Sequence, residues 1–430
     1  MILRPFSFSF PSSSFSLSLK TEIPLTHSWY EIKSLSGKGK STFLKLLMGA
    51  HPDFISGNLE GDPSLVSKKE SFLYLSQNPF HQIIHTKTKE EFVFPFENFQ
   101  IRPNIISSHL SSLPKNLSDK KTLHLSHGEC QHLLLRSLLP LSPKILFLDE
   151  PFSYLDEKTR DSFYTLLLEL QKNLSLLVFF IDHTQKLSSL SEKTLFIDNN
   201  SVISLYKKED HKEEFTNLKK ELPEIPFVKD FFELRVKNLS FGISSKKEET
   251  LLVKNLSFSL HSGQCYTIFA PNGSGKTTFL KRLFQNTFDS SHVFFFKNNK
   301  ILKNPTSSIG ICFQDLDSHF LYPDLFSELK SFDLTPEEIE KYLHLLDIPF
   351  SNISPFLLSE GQKRRLSLFY PLWAHRPILL FDEITVGQDP ANFSFMKELI
   401  GHLKKHQYLI LLVSHDKTFF EDISDNVLFW

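Results

Sequence analysis

Residues Ser34–Thr42 read Ser-Leu-Ser-Gly-Lys-Gly-Lys-Ser-Thr, and Ala270–Thr278 read Ala-Pro-Asn-Gly-Ser-Gly-Lys-Thr-Thr. Each is a turn of small residues closed by Lys and a hydroxyl residue, ahead of a run with helical character. Gly37 and Gly39, like Gly273 and Gly275, let the backbone bend so that successive N–H groups point at one spot, where the following helix adds its positive end. Lys40 and Lys276 supply a point charge to the outer phosphates of a nucleotide, and Ser41 and Thr277 offer a hydroxyl to Mg2+. The candidate phosphate cradles are therefore Ser34, Gly37, Lys38, Gly39, Lys40, Ser41 and Thr42 in one copy, and Asn272, Gly273, Ser274, Gly275, Lys276, Thr277 and Thr278 in the other. Both depart from G-x-x-x-x-G-K-[ST] at its first glycine, which is Ser34 or Ala270. A side chain there costs on the order of 1 kcal/mol if the turn needs φ > 0.

Further landmarks follow each loop in the same order. Lys276 lies 236 residues beyond Lys40, Gln314 lies 237 beyond Gln77, Ser359 lies 233 beyond Ser126, Glu383 lies 233 beyond Glu150, and His415 lies 232 beyond His183. One glycine-rich loop is a weak signal. Five ordered landmarks, repeated with a drift of a few residues, mark a duplicated module.

At 430 residues the chain holds two or three domains of ordinary size. The formal net charge of −1 supplies no global basic field, so no direct contact with nucleic acid is expected. Cys130, Cys265 and Cys312 lie far apart without metal-ligand spacing, which points to a reducing compartment and no disulfide. No apolar stretch approaches the roughly 18 residues that span a bilayer, so any work on a membrane is done from its cytoplasmic face through a partner. The serine-rich start is a β-hairpin rather than a targeting peptide, because Phe6–Phe10 and Phe15–Leu19 alternate with period two about Pro11.

Apolar runs read as buried parallel strands at Ile145–Leu148 and Leu176–Ile181, mirrored by Tyr266–Phe269, Ile378–Phe381 and Leu409–Val413. Strands alternating with helices imply an α/β fold with a mostly parallel sheet. The halves divide as 1–205 and 231–430 about a charged linker at 206–230, with a strand over Glu233–Phe241 opening the second. Two of the strands end in paired acids, Asp149-Glu150 and Asp382-Glu383. At the carboxyl end of a parallel strand beside the loop, the Asp is placed to hold Mg2+ and the Glu to polarise an attacking water.

Upstream of the acids stand Leu125-Ser126-His127-Gly128-Glu129 and Leu358-Ser359-Glu360-Gly361-Gln362. With these motifs the chain resembles the ABC ATPases, whose L-S-G-G-Q/E signature it matches at Leu, Ser, the second Gly and the final Glu or Gln. The resemblance covers nearly the whole chain apart from the linker. It implies two P-loop NTPase domains in tandem, each with a mostly parallel core sheet, an antiparallel β subdomain and a helical signature subdomain. It also implies a head-to-tail sandwich of the two domains around two ATP molecules. Ser359 and Gly361 would face the nucleotide on Lys40, and Ser126 and Gly128 the one on Lys276. Gln77 and Gln314 would sense Mg2+ and water, His183 and His415 would contact the γ-phosphate, and Asp156 and Asp389 would act across the dimer. Phe241, and Phe8 or Phe10, would stack on adenine. The departures are Ser34, His127, and Glu31 and Lys33 in an otherwise apolar strand, with Glu360 and Ile384 in the second half. None removes a catalytic group, so two hydrolysis-capable sites of unequal rate are expected.

Around Gln77 the chain reads Ser-Gln-Asn-Pro-Phe-His-Gln82, then Thr88-Lys-Glu-Glu91-Phe-Val-Phe-Pro-Phe-Glu97-Asn98. This resembles the ATPases of energy-coupling factor importers of vitamins and metal ions. The resemblance implies a transmembrane coupling subunit and a small substrate-binding membrane protein as partners, with the chain peripheral on the cytoplasmic face. The rival reading is a soluble tandem ABC ATPase acting on ribosomes, which Val413-Ser-His-Asp-Lys-Thr-Phe-Phe420 resembles. The short linker of mixed charge and the neutral chain weigh against it.

Overall fold

The computed structural model describes the chain except residues 12–14, 35–36, 67–71, 100–102, 112, 139–140, 142, 174–175, 184–185, 192, 208–221, 245–248, 272, 349–352, 386–387, 389, 415 and 430. Three sequence candidates, Asn272, Asp389 and His415, lie outside the described residues, as does most of the charged linker. The chain forms two compact units, Met1–Glu214 and Phe215–Trp430.

The first unit is built on a six-stranded sheet. Its order is Ile203–Lys207, Lys193–Ile197, Trp29–Lys33, Leu177–Ile181, Ile145–Asp149 and Phe72–Leu75, and only the first of these runs antiparallel to its neighbour. The strands Ile145–Asp149 and Leu177–Ile181 are buried at every position, as expected of parallel strands covered on both faces. The serine-rich start pairs as the alternation requires, Phe6 opposite Leu19 and Phe8 opposite Leu17, with Asn58–Gly61 added as a third antiparallel strand. Phe6, Phe8, Leu17 and Leu19 turn inward onto the helix Lys40–Leu47, where Phe6 stacks on Phe43 at 6.1 Å. The acid of the central strand is accommodated rather than exposed: Glu31 is buried, paired with Lys33 at 3.6 Å and accepting a hydrogen bond from the Ser188 hydroxyl.

The second unit repeats the plan with a five-stranded parallel sheet, in the order Ile309–Cys312, Ile378–Asp382, Leu409–Val413, Cys265–Phe269 and Asn426–Phe429. Its antiparallel sheet pairs Phe232–Ser244 with Glu249–His261 and Val293–Lys297, and Lys300–Ile301 closes the edge. Cores of buried aliphatic and aromatic residues lie on both faces of each parallel sheet. Cys130, Cys265 and Cys312 are buried free thiols.

Candidate functional site

Both glycine-rich loops end in a glycine of positive φ, Gly39 at 88° and Gly275 at 94°, which N-caps the following helix Lys40–Leu47 or Lys276–Phe284. A Cβ on Gly39 would come within 2.5 Å of the Phe15 ring, and one on Gly275 within 2.7 Å of Leu252. Neither position admits another residue, on grounds of conformation and of space alike. Gly37 and Gly273 also have positive φ, whereas Ser34 and Ala270 do not, so the missing first glycine costs no backbone strain. The buried Lys40 and Lys276 curl back onto their own loops. The Lys40 ammonium donates to the Ser34 carbonyl at 3.2 Å, and that of Lys276 to the Ala270 and Pro271 carbonyls at 2.7 and 3.1 Å. Lys38 reaches the Asn199 carbonyl at 3.3 Å.

In the first unit the remaining candidates converge on Glu150. Its carboxylate accepts from the Gln77 amide at 3.1 Å and the Ser153 hydroxyl at 2.8 Å, and lies 3.2 Å from His183 Nε2. Burial works to raise this carboxyl, but His183, Ser153 and Lys40 outweigh it and hold it below the usual range. The Ser41 hydroxyl donates to Asp149 at 3.2 Å, joining loop and strand end. In the second unit Asp382 and Glu383 are buried in the same places, and among the described residues no group stronger than the neighbouring Thr277 hydroxyl meets the Asp382 oxygens. Burial, then neighbouring Glu383, push the Asp382 carboxyl up to about 6 against the pull of the Thr277 hydroxyl, Lys276 and Arg364. A buried carboxylate met only by a loop hydroxyl suits a hard, oxygen-seeking cation. The residues present thus fit Mg2+.

A shared strain escaped the sequence reading. Glu150 and Glu383 have φ of 50° and 52°, and each N–H donates to the end of the neighbouring strand, at Ile181 or Val413. A left-handed glutamate costs on the order of 1 kcal/mol, and its presence in both units marks a fixed side-chain aim. Ser153, three residues beyond Glu150, was also missed; its signal is only that short spacing.

The signature motifs open the helices His127–Leu138 and Glu360–Trp373. Ser126 and Glu129 exchange hydrogen bonds at 3.2 and 3.0 Å, as Ser359 and Gln362 do at 3.3 and 3.0 Å. The spacing of Ser and Glu or Gln is thus a capping box as well as a signature. Gly128 has a packing reason too, since a Cβ there would stand 2.2 Å from Thr159 Cγ2. Asp156 caps the helix Glu157–Asn173, accepting from the Thr159 N–H at 2.8 Å.

Phe241 is buried, stacked on Phe279 at 5.7 Å with Phe288 against its edge and Arg282 over its ring, and it borders the loop, since a Cβ on Gly275 would stand 3.4 Å from its Cε2. Phe8 is buried likewise, but Phe10 is half-buried and touches Phe15, whose ring lies on Gly39.

The acidic stretch after Gln77 has a structural role. Buried Glu91 accepts the N–H groups of Ile84 and His85 at 2.9 and 2.7 Å, and buried Glu328 those of Leu321 and Tyr322 at 2.9 and 2.8 Å. Each carboxylate fixes the segment that follows its glutamine.

The ABC transporter family matches residues 29–153 and 253–386. This chain belongs to that family. It is an ATPase with two ABC domains in tandem. A relative from Sulfurisphaera tokodaii, "Putative ABC transporter ATP-binding protein", is 28% identical over 97% of this chain and 93% of its own. "Putative HMP/thiamine import ATP-binding protein YkoD" of Bacillus subtilis is 26% identical over 91% of this chain and 82% of its own. Among solved structures, the archaeal ABCE1 in a model with ribosome-bound Pelota gives a TM-score of 0.64 at 17% identity, covering 99% of this chain and 76% of that one. The archaeal ribosome recycling factor aABCE1, in complex with a ribosomal stalk protein, gives 0.59 at 19% identity, covering 98% and 86%. Identities this low show the shared tandem ABC fold alone.

Proposed function

We propose that this ABC ATPase energises a membrane importer of the energy-coupling factor type, one that carries a vitamin or a metal ion. The observation that carries the reading is a pair of exposed apolar sites beside the two glutamine loops. In the first unit Ile84 and Leu123 are 66% and 79% exposed, on segments joined by the Thr122 hydroxyl donating to the His85 carbonyl at 2.7 Å. In the second, Leu321 and Leu357 are 83% and 76% exposed, flanking the contact of Phe320 with Phe356. The same placement in both units fits two docking points for a transmembrane coupling subunit, near Gln77–Gln82 and Gln314–His319. The stretch Ser76–Asn98 and the import function in the name of the Bacillus relative support the same class. Among the described residues no helix is long and apolar enough to cross a membrane, so the chain would act peripherally, on the cytoplasmic face. A separate small membrane protein would bind the substrate.

In this reading the domains extend over 1–205 and 231–430, with 206–230 as linker. The loops from Ser34 and from Ala270 cradle the phosphates through their amides, with Lys40 and Lys276 neutralising the outer charge. Ser41, Asp149 and Gln77, and Thr277, Asp382 and Gln314, would hold Mg2+. When bound, the ion supplies positive charge to the phosphate oxygens. Glu150 and Glu383 orient the attacking water and accept its proton, while His183 and His415 hold the γ-phosphate. As the resemblance implies, Ser126 and Gly128 would complete the site on Lys276, and Ser359 and Gly361 the site on Lys40, once ATP binds.

The test is isolation of the tagged chain from mild-detergent extracts of its own cells. A multi-span membrane protein recovered at matching amounts, and lost in an Ile84→Asp, Leu321→Asp double variant, is the expected result. Ribosomal proteins without any membrane protein would move the chain to the soluble class.

A further inference from the structure

Each unit ties its signature helix to its own glutamine loop, and the two units use different chemistry. In the first, His127 stacks on Tyr154 with centroids 4.6 Å apart and meets Phe80 edge-on at 4.9 Å. That contact is neutral, because burial holds the His127 imidazole down to about 4. In the second unit Glu360 takes the place of His127, and one turn on stands Arg364, which is fully buried. Arg364 Nη1 donates to the Gln314 carbonyl at 3.2 Å, and Nη2 lies 3.6 Å from Glu360. Lys363 bonds Asp317 at 2.6 Å, three residues beyond Gln314. On the other side, the Phe313 N–H donates to His319 Nε2 at 2.8 Å. Gln131 stands where the first unit would carry this arginine; it is fully buried too, and among the described residues its amide atoms have no hydrogen-bond partner.

A buried guanidinium is costly unless its charge is answered, and a charge-assisted bond is stronger than a neutral one. The groups that face Arg364 are the Gln314 carbonyl of the glutamine loop, Glu360 at the start of its own helix and, through its charge, Asp382; Nε and Nη2 make no hydrogen bond among the described residues, so the bond to the Gln314 carbonyl is the one that fixes it. We propose that Arg364 is a positioning residue for the second ATP site, holding the Gln314 backbone against the signature helix so that the two move as one. The first unit reaches the same end through an aromatic contact, which leaves Gln131 without this task. This rests on the reading of Gln314 as a site residue.

The experiment compares Arg364→Gln, which installs the first unit's residue, with Arg364→Lys in the full chain. Peptide-level amide exchange over 313–320 should quicken about tenfold in Arg364→Gln, while the matching 76–83 segment stays unchanged. The kcat should fall about three- to tenfold with KM for ATP within about twofold, and Arg364→Lys should restore much of both. Unchanged exchange over 313–320 overturns the proposal, as does quickening spread evenly over the second unit. If Arg364→Gln does not fold, Asp317→Asn replaces it, since that carboxylate is 47% exposed; it should quicken the same peptide to a smaller degree, and no change there is equally fatal. A full kcat in Gln314→Ala, with the exchange as expected, would leave the latch standing and remove Gln314 from the site.

Discussion

Lys276 is buried against the carbonyls of its own loop, and its place at the head of a helix follows from Gly275 rather than from its charge. Lys276→Ala should therefore remove turnover while moving Tm by no more than a few degrees, as ATPase assay and calorimetry on one preparation will show. Glu150 is a stricter case, since Gln77, Ser153 and His183 all meet its carboxylate. Glu150→Gln keeps the shape and loses the charge, and we expect at least a tenfold fall in kcat, the order of a lost general base. Full activity in that variant would falsify the assignment of Glu150 to the first site. These side chains were readable from their motifs. Ser153 and the left-handed φ of both glutamates were not, because a hydrogen bond across a turn leaves no periodic mark.

The signature helix shows how one residue serves two ends. Gly128 sits where the helix His127–Leu138 passes the helix Glu157–Asn173, with Thr159 against it. Gly128→Ala forces that contact apart and should lower stability by about 1–3 kcal/mol, the usual cost of overpacking. Adding Thr159→Ser removes the opposing methyl and should recover part of the loss, read as Tm in a double-mutant cycle. The helix starts themselves were legible, since Ser with Glu or Gln three residues on is a capping box whatever else it does. Phe241 shows what the sequence leaves open at this level: an aromatic in a strand before the loop looks alike whichever neighbours it meets, and only the fold shows Phe279 and Phe288 packed against it.

The two units differ in how they should meet acid. Burial holds His127 and His132 down to about 4 in the first unit, and His319 to about 4 in the second. Between that value and the ordinary 6.5 the unfolded chain binds more protons at these sites, so stability is lost as pH falls through the window. Asp382, pushed up to about 6, has the opposite sign: the folded second unit takes up a proton there and gains as pH falls toward 4. The first unit should thus be the more acid-labile. Amide protection, corrected for the intrinsic pH dependence of exchange, should fall first in peptides of 1–205 on going from pH 7.5 to pH 5, and an equal fall in both halves would contradict this balance.

The duplication, the α/β class and the apolar runs of the central strands were legible in the sequence, because apolar periodicity and glycine-lysine loops are local properties of the chain, whereas the strand order was not. Even the pairing of Phe6 with Leu19 follows from alternation about a turn. Burial and partnership belong to residues far apart in the chain, and those the fold had to settle. Glu31 is tolerated in a central strand because Ser188, 157 residues on, meets it. Arg364 and Gln131 occupy one helical position in two copies, and only folding shows that both are buried and that the arginine reaches the Gln314 carbonyl.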